Sequence, residues 1–168
     1  MTDDKKLSVY KLRSIGRLVA FQAAYQAEIR EQADQNLRRQ GEAQATVRET
    51  VAEYDPFAEP LDAYRAETKM FLTGAERSET LDFARRLFEG YRDRRAEVDA
   101  LLDAALTNRT LARVDLVARC ILRVAAYEIR FIKTPKAVVI SQALELGKKF
   151  GEKETTRFLN GVLDRIDG

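Results

Sequence analysis

Helix-breaking residues are scarce in this chain of 168 residues, which contains only three prolines and eight glycines. Between them Ala, Leu, Glu, Arg and Gln dominate, and these residues have strong helix propensity. No five-residue stretch alternates apolar and polar side chains between turn residues, so no strand is expected. The sequence therefore predicts an all-α fold.

Three amphipathic helices are predicted in the last third of the chain, at 114–132, 136–149 and 153–166. Each carries apolar residues at helical spacing along one side. The connections between them are short, which favours a helical bundle. Since the length of the chain suits one hydrophobic core, we expect a single domain.

Four more helices are predicted upstream, the first of them running from about Ser8, a candidate N-cap, through the late twenties. The other three are expected at 61–72, 78–89 and 91–106. The total is about seven helices.

Two segments and three glycines bear on where the predicted helices begin and end. The polar stretch 28–53 has few apolar anchors and is interpreted either as a helical extension or as partly mobile. The segment 55–60, DPFAEP, is expected to be a turn or linker because two prolines four residues apart interrupt helical hydrogen bonding. Helix ends with a left-handed residue are expected near Gly74, Gly90 and Gly151.

The residue inventory argues against common catalytic and metal sites. Cys120 is the only cysteine, which excludes an internal disulfide and any multi-cysteine zinc site. Histidine is absent, which excludes Ser/His and Cys/His pairs and histidine-containing metal sites. Phosphate-binding, dinucleotide-binding and zinc-protease motifs are also missing. We therefore expect no enzyme activity, no cofactor and no metal, and Cys120 is interpreted as a packing residue.

The N-terminus and the hydropathy pattern predict a cytoplasmic protein. No run approaches the roughly 18 apolar residues that a membrane helix needs. The first residues, MTDDKKLSVYKL, contain no continuous apolar segment of the kind that a secretory signal carries. We therefore expect no membrane association.

Positive charge is concentrated at the two ends of the chain. Residues 1–26 contain five Lys/Arg and two acidic residues, and residues 111–168 contain eleven and seven, whereas 27–60 contain four and eight. Basic patches attract phosphate backbones through counterion release, although a solvated basic face has the same composition. Nucleic-acid binding is one of two interpretations at this point.

The first predicted helix carries candidate RNA contacts. Arg13 and Arg17 are neighbours on one face, with Lys11 upstream, and they either bind phosphate or form a solvated face. Gln22 could supply an amide for base edges and Tyr25 a ring for stacking. Tyr25 could equally be a core aromatic residue.

Further candidates lie in the last third. Lys148 and Lys149 end a predicted helix beside Phe150, where lysines also stabilise the helix dipole. Glu128 lies at the edge of an apolar face, so it either pairs internally or meets another protein. A stripe of arginines could bind RNA, pair with nearby carboxylates or contact an acidic partner; it consists of Arg119, Arg123 and Arg130.

Several stretches of this sequence resemble the NusB family of transcription antitermination factors. They are NRTLARVDLVARCILRVAAYEI at 108–129, PKAVVISQALELGKKFG at 135–151 and RFLNGVLDRI at 157–166. The first helix adds Arg17, Ala20, Gln22 and Tyr25 in the family's Arg-x-x-Ala-x-Gln-x-x-Tyr spacing, and the block from Asn160 to Asp164 is the most specific piece.

The resemblance implies one compact, all-helical RNA-binding domain over 1–168, with two packed subdomains. The N-terminal part would cover 1–77, with a long polar insertion at about 28–60, and the C-terminal part 78–168. It also implies binding of the boxA element of nascent single-stranded RNA together with NusE, a ribosomal protein. The complex would help RNA polymerase in the elongation complex read through terminators, notably in ribosomal RNA operons.

The resemblance also implies site residues. The RNA surface would comprise Arg13, Arg17, Gln22 and Tyr25, with Phe150 and Glu154 as a second region beside Lys148 and Lys149, and Lys11 upstream. A carboxylate there could accept hydrogen bonds from base amino groups. Arg123 and Glu128 are the candidates for the NusE-facing surface.

The chain departs from the family pattern at several positions. Ser14 and Ile15 stand where cations are expected, Arg109 replaces a tryptophan, and Ser141-Gln142 replaces Asn-Glu. Fewer phosphate contacts would weaken RNA binding and its salt dependence. An alternative is therefore a NusB-fold interaction module or homodimer with weak or lost RNA binding. NusB-like domains also occur in RNA 5-methylcytosine methyltransferases, but no cofactor domain follows here, so that role is not expected.

Overall fold

The computed structural model describes residues 7–39 and 55–168, and within them the fold is all-α, as predicted. The described residues form seven α-helices: α1 (Val9–Arg39), α2 (Ala58–Thr68), α3 (Gly74–Asp93), α4 (Arg95–Ala105), α5 (Leu116–Tyr127), α6 (Lys136–Phe150) and α7 (Thr155–Leu163). A 3-10 turn at Leu111–Arg113 precedes α5, and a π-helical turn at Glu128–Ile132 continues it.

The core is one cluster to which every helix contributes. α1 packs along α3 and α5, and α6 packs between α5 and α7. Fully buried leucines lie on six of these helices: Leu12, Leu61, Leu87, Leu102, Leu122 and Leu159. The expected boundary between 77 and 78 lies within α3, and the division into two subdomains stays a prediction.

The first helix extends well beyond the late twenties and is described as far as Arg39. Its polar second half is held by ion pairs instead of apolar anchors. Arg95 Nη2 lies 2.7 Å from Glu28 Oε1, and Arg95 Nη1 lies 2.8 Å from Glu31 Oε2. For 28–39 the helical extension is therefore the correct alternative, whereas residues 40–54 lie outside the described part of the chain.

The segment DPFAEP is a helix start, and only its first residues form the expected turn. The backbone N–H of Phe57 donates to Asp55 Oδ1 at 2.9 Å, and α2 begins at the next residue. Pro60 lies in the first turn of α2, where no backbone N–H is needed for an intrahelical bond. Because residues 58–60 form the first turn of α2, the turn or linker interpretation was wrong for them. Phe57, just before them, is buried in the core.

The expected left-handed helix ends at glycines were also wrong. Among the described non-glycine residues, positive φ occurs at Lys69, Asn108 and Lys133. Gly90 instead lies inside α3, facing Tyr127, whose hydroxyl oxygen would be 2.1 Å from an added Cβ. This glycine allows close packing of α3 against the end of α5.

Within the described residues, no helix combines the length and the apolar character that crossing a bilayer requires.

Candidate nucleic-acid interface

A groove of about 420 Å³ lies where the first half of α1 meets α2 and α6. Its lining includes the two segments that the sequence predicted separately as basic contacts. Its polar lining residues include Lys11, Ser14 and Arg17 from α1, Tyr64 from α2, and Gln142, Glu145, Lys148 and Lys149 from α6. The fold therefore brings the basic start of α1 beside the basic end of α6.

One face of α1 runs from this groove toward the middle of the helix. Lys11, Ser14, Leu18, Gln22 and Tyr25 follow at intervals of three or four residues, so they lie on the same side. All of them are partly exposed except Leu18, which is buried. Gln22 Oε1 is buried without a hydrogen-bond partner among the described residues. The face combines a cation, an amide and an aromatic ring.

The two lysines at the end of α6 are exposed but paired. Lys149 Nζ lies 3.1 Å from Glu67 Oε2 on α2, and Lys148 Nζ lies 3.1 Å from Glu145 Oε1. Exposed pairs of this kind contribute about 0–1 kcal/mol. Both ammonium groups can therefore exchange their carboxylate partners for phosphate at low cost.

Aromatic rings connect the groove with Tyr25. The ammonium of Lys149 lies 5.5 Å from the ring centre of Phe150, which is 5.1 Å from that of Phe21. The Phe21 ring in turn lies 6.3 Å from Tyr25. Glu154 is exposed just before α7. Phe150 and Tyr25 are both partly exposed, and both pack against the buried ring of Phe21.

Arg13 and Arg17 lie over the ring of Phe83 in α3, and Arg17 also borders the groove. Their guanidinium carbons are 5.5 and 5.3 Å from the centre of that ring. Arg13 is exposed and has no ion pair within the described residues, whereas Arg17 is only 5% exposed. The two arginines are therefore neighbours, as the sequence predicted, but Arg17 is buried whereas Arg13 is exposed.

Arg17 forms a two-point ion pair with Glu128. Its Nε donates to Oε2 at 2.9 Å and its Nη2 to Oε1 at 2.6 Å. Glu128 is 1% exposed, and apolar side chains such as Val124 and Val139 lie beside the pair. Of the two interpretations of Glu128, the internal pair is the one that the structure contains.

Arg123, the second residue expected to face a protein partner, is buried at 5% exposure. Its Nε and Nη2 donate to Asp99 at 2.8 and 3.0 Å, and its Nη1 lies 3.0 Å from Glu28 Oε1. Burial alone would lower the pKa of Arg123, but the hydrogen bonds with Asp99 raise it above its usual value. Neither Arg123 nor Glu128 presents its side chain to a partner, because each balances a charge in the interior.

The three arginines of the stripe on α5 differ in whether they pair with carboxylates. Arg119 Nη2 lies 3.7 Å from Glu28 Oε2, so two of its three members pair with carboxylates. Arg130, in the π-helical turn, is exposed and has no ion pair among the residues that the structure describes. Pairing was one of the three interpretations of this stripe.

The departures from the expected pattern have structural reasons. Ile15 is 2% exposed and belongs to the core, where a cation would lack solvation. Ser14 lines the groove, and the Arg109 guanidinium lies 5.4 Å from the ring centre of Phe158. Gln142 Nε2 donates to Tyr10 Oη at 2.9 Å.

Sequence reasoning missed the groove positions of Tyr64, Gln142 and Ser14. The spacing of three residues from Lys11 could have found Ser14. No local signal marks Tyr64, since only the packing of α2 against α1 and α6 brings it to the groove.

Comparison with known proteins agrees with this fold. The model of the NusB family matches residues 14–167. A transcription antitermination protein NusB from Elusimicrobium minutum is 42% identical over 87 residues, which are 51% of this chain and 62% of that protein. The one from Trichlorobacter lovleyi is 39% identical over 99 residues, 58% of this chain and 70% of that protein. The first of these alignments thus spans less than two thirds of the relative.

Solved structures match over more of the chain. NusB from T. maritima superposes with a TM-score of 0.63 at 26% identity, covering 96% of this chain and 91% of that one. A structure of antitermination factors NusB and NusE in complex with double-stranded RNA matches with a TM-score of 0.62 at 21% identity, covering 93% and 96%. The second likeness concerns the fold alone. Because the family model spans nearly the whole sequence, the chain belongs to the NusB family.

Proposed function

We propose that the protein is a transcription antitermination factor that binds boxA-type single-stranded RNA together with the ribosomal protein NusE. In this role it promotes readthrough by the RNA polymerase elongation complex, notably in ribosomal RNA operons. It acts by binding, without catalysis, in the cytoplasm. Membership in the NusB family and relatives named transcription antitermination protein NusB support the proposal.

The observation that carries RNA binding is the convergence of Lys11 with Lys148 and Lys149 on one groove. These lysines come from opposite ends of the sequence and supply positive charge along a continuous surface, which suits a phosphate backbone. The partly exposed rings of Tyr25 and Phe150 continue the surface. Stacking on such rings is how proteins hold unpaired bases, so the surface suits a single strand better than a duplex.

The proposed RNA face keeps most of the residues expected from the sequence. It comprises Lys11, Arg13, Gln22, Tyr25, Lys148, Lys149, Phe150 and Glu154. Glu154 would accept hydrogen bonds from base amino groups. Arg17 acts as a positioning residue, since its guanidinium is engaged by Glu128 and holds α1 in place.

NusE is the proposed protein partner, by analogy with the antitermination complex that shares this fold. The surface that we assign to it covers the end of α5, above the buried groups of Glu128 and Arg123. The exposed guanidinium of Arg130 lies in this region and is available to an acidic group of the partner. Arg123 and Glu128 would then support this surface from beneath.

A second candidate is a NusB-fold interaction module or homodimer with weak or lost RNA binding. One observation favours it: Arg17, the cation central to the family spacing, is enclosed in an ion pair. The two candidates differ in their affinity for RNA and in oligomeric state.

Titration of fluorescently labelled boxA RNA at two salt concentrations, with and without NusE, tests the proposal. We expect binding that NusE strengthens and that weakens with salt, with a slope of log K against log salt of about 0.7 for each phosphate contact. Absent or salt-insensitive binding in both arms would contradict RNA recognition. Light scattering on the same sample distinguishes a monomer from a homodimer, and a stable dimer without RNA affinity would favour the second candidate.

A further inference from the structure

We infer that the groove between α1, α2 and α6 seats one unpaired nucleotide of the bound RNA, with Tyr64 as its stacking surface and Gln142 as the reader of its base edge. This inference rests on the proposed function and assigns roles to two residues outside the expected RNA face. Its basis is the size, charge and polar groups of the groove.

The volume of the groove suits a single nucleotide. At about 420 Å³ it falls within the range of about 300–1,000 Å³ that small-ligand clefts occupy. Ser14 contributes a short side chain to its wall, which leaves room that a lysine or arginine at this position would occupy. Ser14, which stands in α1 where a cation is expected, therefore also leaves the groove wider.

Charge on the rim suits the phosphates on either side of such a nucleotide. Lys11 lies on the α1 side, and Lys148 and Lys149 lie on the α6 side. Glu145 is the one carboxylate among the described lining residues, and it already pairs with Lys148. A strand crossing the groove would meet cations at both edges.

Tyr64 presents a ring to this space. Its side chain is partly exposed, packs against the core on one side and lines the groove on the other. The part of the ring that borders the groove is where a base would stack. Stacking of a base on an aromatic ring contributes about 1–3 kcal/mol, which corresponds to roughly 5- to 150-fold in affinity.

Gln142 supplies hydrogen-bonding groups with a fixed direction. It is 9% exposed, and its Nε2 donates to Tyr10 Oη at 2.9 Å. A glutamine amide has two N–H donors and an acceptor oxygen, and this bond uses one donor among the described residues. The remaining donor and the carbonyl oxygen can pair with a base edge. Tyr10 thus positions the amide across the gap between α1 and α6.

The test combines substitutions in the protein with abasic sites in the RNA. We would measure the affinity of the full chain, with NusE present, for boxA-type RNA in which one abasic sugar is moved along the strand. Tyr64→Leu is expected to weaken binding of intact RNA by about 5- to 150-fold, whereas Tyr64→Phe, which keeps the ring, should retain most of the affinity. At one abasic position, wild type and Tyr64→Leu should bind equally.

Gln142→Glu tests the base edge without changing the shape of the side chain. We expect it to weaken binding and to change base preference at the same RNA position that couples to Tyr64. Ser141→Glu is the matched control, because it adds the same charge one residue away on the exposed side of α6, outside this groove. Circular dichroism and thermal unfolding of each variant would verify that it folds.

The outcomes separate the inference from the proposed function. If wild type binds RNA in a salt-dependent way but no abasic position couples to Tyr64→Leu, the groove does not hold a stacked nucleotide and the inference fails alone. If Gln142→Glu and Ser141→Glu lowered the RNA affinity equally, the effect at Gln142 would be one of added charge. The role of Gln142 in reading the base would then be rejected. If wild type binds no RNA with or without NusE, both fail.

Discussion

Arg17 in the first helix and Glu128 at the end of the fifth, 111 residues apart, form a two-point buried ion pair with bonds of 2.9 and 2.6 Å. The helical spacing that made Arg17 a candidate phosphate contact also directs it toward α5. Since breaking a buried pair leaves an uncompensated charge in the interior, the pair couples the position of α1 to the core.

Removing one partner of the Arg17–Glu128 pair should be strongly destabilising. Arg17→Gln or Glu128→Gln is expected to lower the free energy of unfolding by about 3–5 kcal/mol, since each leaves the other charge buried. The double variant Arg17→Met with Glu128→Leu should be closer to wild type, because it buries no charge. Urea denaturation followed by circular dichroism measures all three.

Arg13→Gln serves as the control for the pair, since Arg13 also lies over Phe83 but is exposed. It should change the free energy of unfolding by no more than about 0.5 kcal/mol. An Arg17→Gln protein as stable as wild type that binds RNA less well would show that Arg17 contacts RNA directly.

Neutralising the carboxylates beside the α6 lysines should strengthen RNA binding. Glu67 and Glu145 pair with Lys149 and Lys148, so Glu67→Gln and Glu145→Gln free the ammonium groups for phosphate. From the strength of exposed pairs, about 0.2–1 kcal/mol, we expect an increase in affinity of roughly 1.4- to 5-fold for each. Fluorescence anisotropy at low salt measures the change.

Glu97→Gln is the matched control, because Glu97 is also exposed and paired with an arginine, Arg94, but lies on α4. It should leave RNA affinity nearly unchanged. The same gain from all three variants would indicate a general effect of net charge, and the groove would then have no special role.

Stability should fall at alkaline pH because of Cys120. Burial, with the nearby charge of Glu28, raises the pKa of its thiol from about 9 to about 12. Between these values the folded protein retains a proton that the unfolded chain has released, so the free energy of unfolding decreases as pH rises. This one group contributes at most about 1.4 kcal/mol per pH unit.

Chemical denaturation at pH 8 and pH 10 measures that decrease, and Cys120→Ala should make it smaller. Burial also raises the pKa of Tyr91, which adds a contribution at still higher pH. In the folded protein the thiol should resist alkylation at pH 8, since the thiolate is the reactive form. Rapid alkylation without unfolding would contradict this placement of Cys120.

Gly90→Ala should destabilise the protein although alanine favours helices. An added Cβ would lie 2.1 Å from Tyr127 Oη and 2.2 Å from Cζ, so the ring must move. We expect a loss of about 1–3 kcal/mol, typical of overpacking. In α7, Gly161 has open space around its Cβ position, so Gly161→Ala should stabilise by up to about 1 kcal/mol. Similar effects of both in thermal unfolding would argue against the contact between Gly90 and Tyr127.

Local periodicity was enough to predict the fold class and most helices. The predicted helix at 114–132 corresponds to α5 and its π-helical turn, and 136–149 corresponds to α6 within one residue. Helix ends were less accurate where long-range partners decide them. α1 extends to Arg39 because Glu28 and Glu31 pair with Arg95, a residue far away in the sequence.

The sequence by itself determined the all-α architecture, the family and the chemical types on the proposed RNA face, because helical spacing and residue chemistry are local properties. Tertiary structure alone decided which charges remain at the surface. It buried Arg17, Glu128 and Arg123, and it placed Lys11, Lys149 and Tyr64 around one groove. Spacing specifies the face of a helix, but the exposure of a residue depends on what the rest of the chain packs against that face.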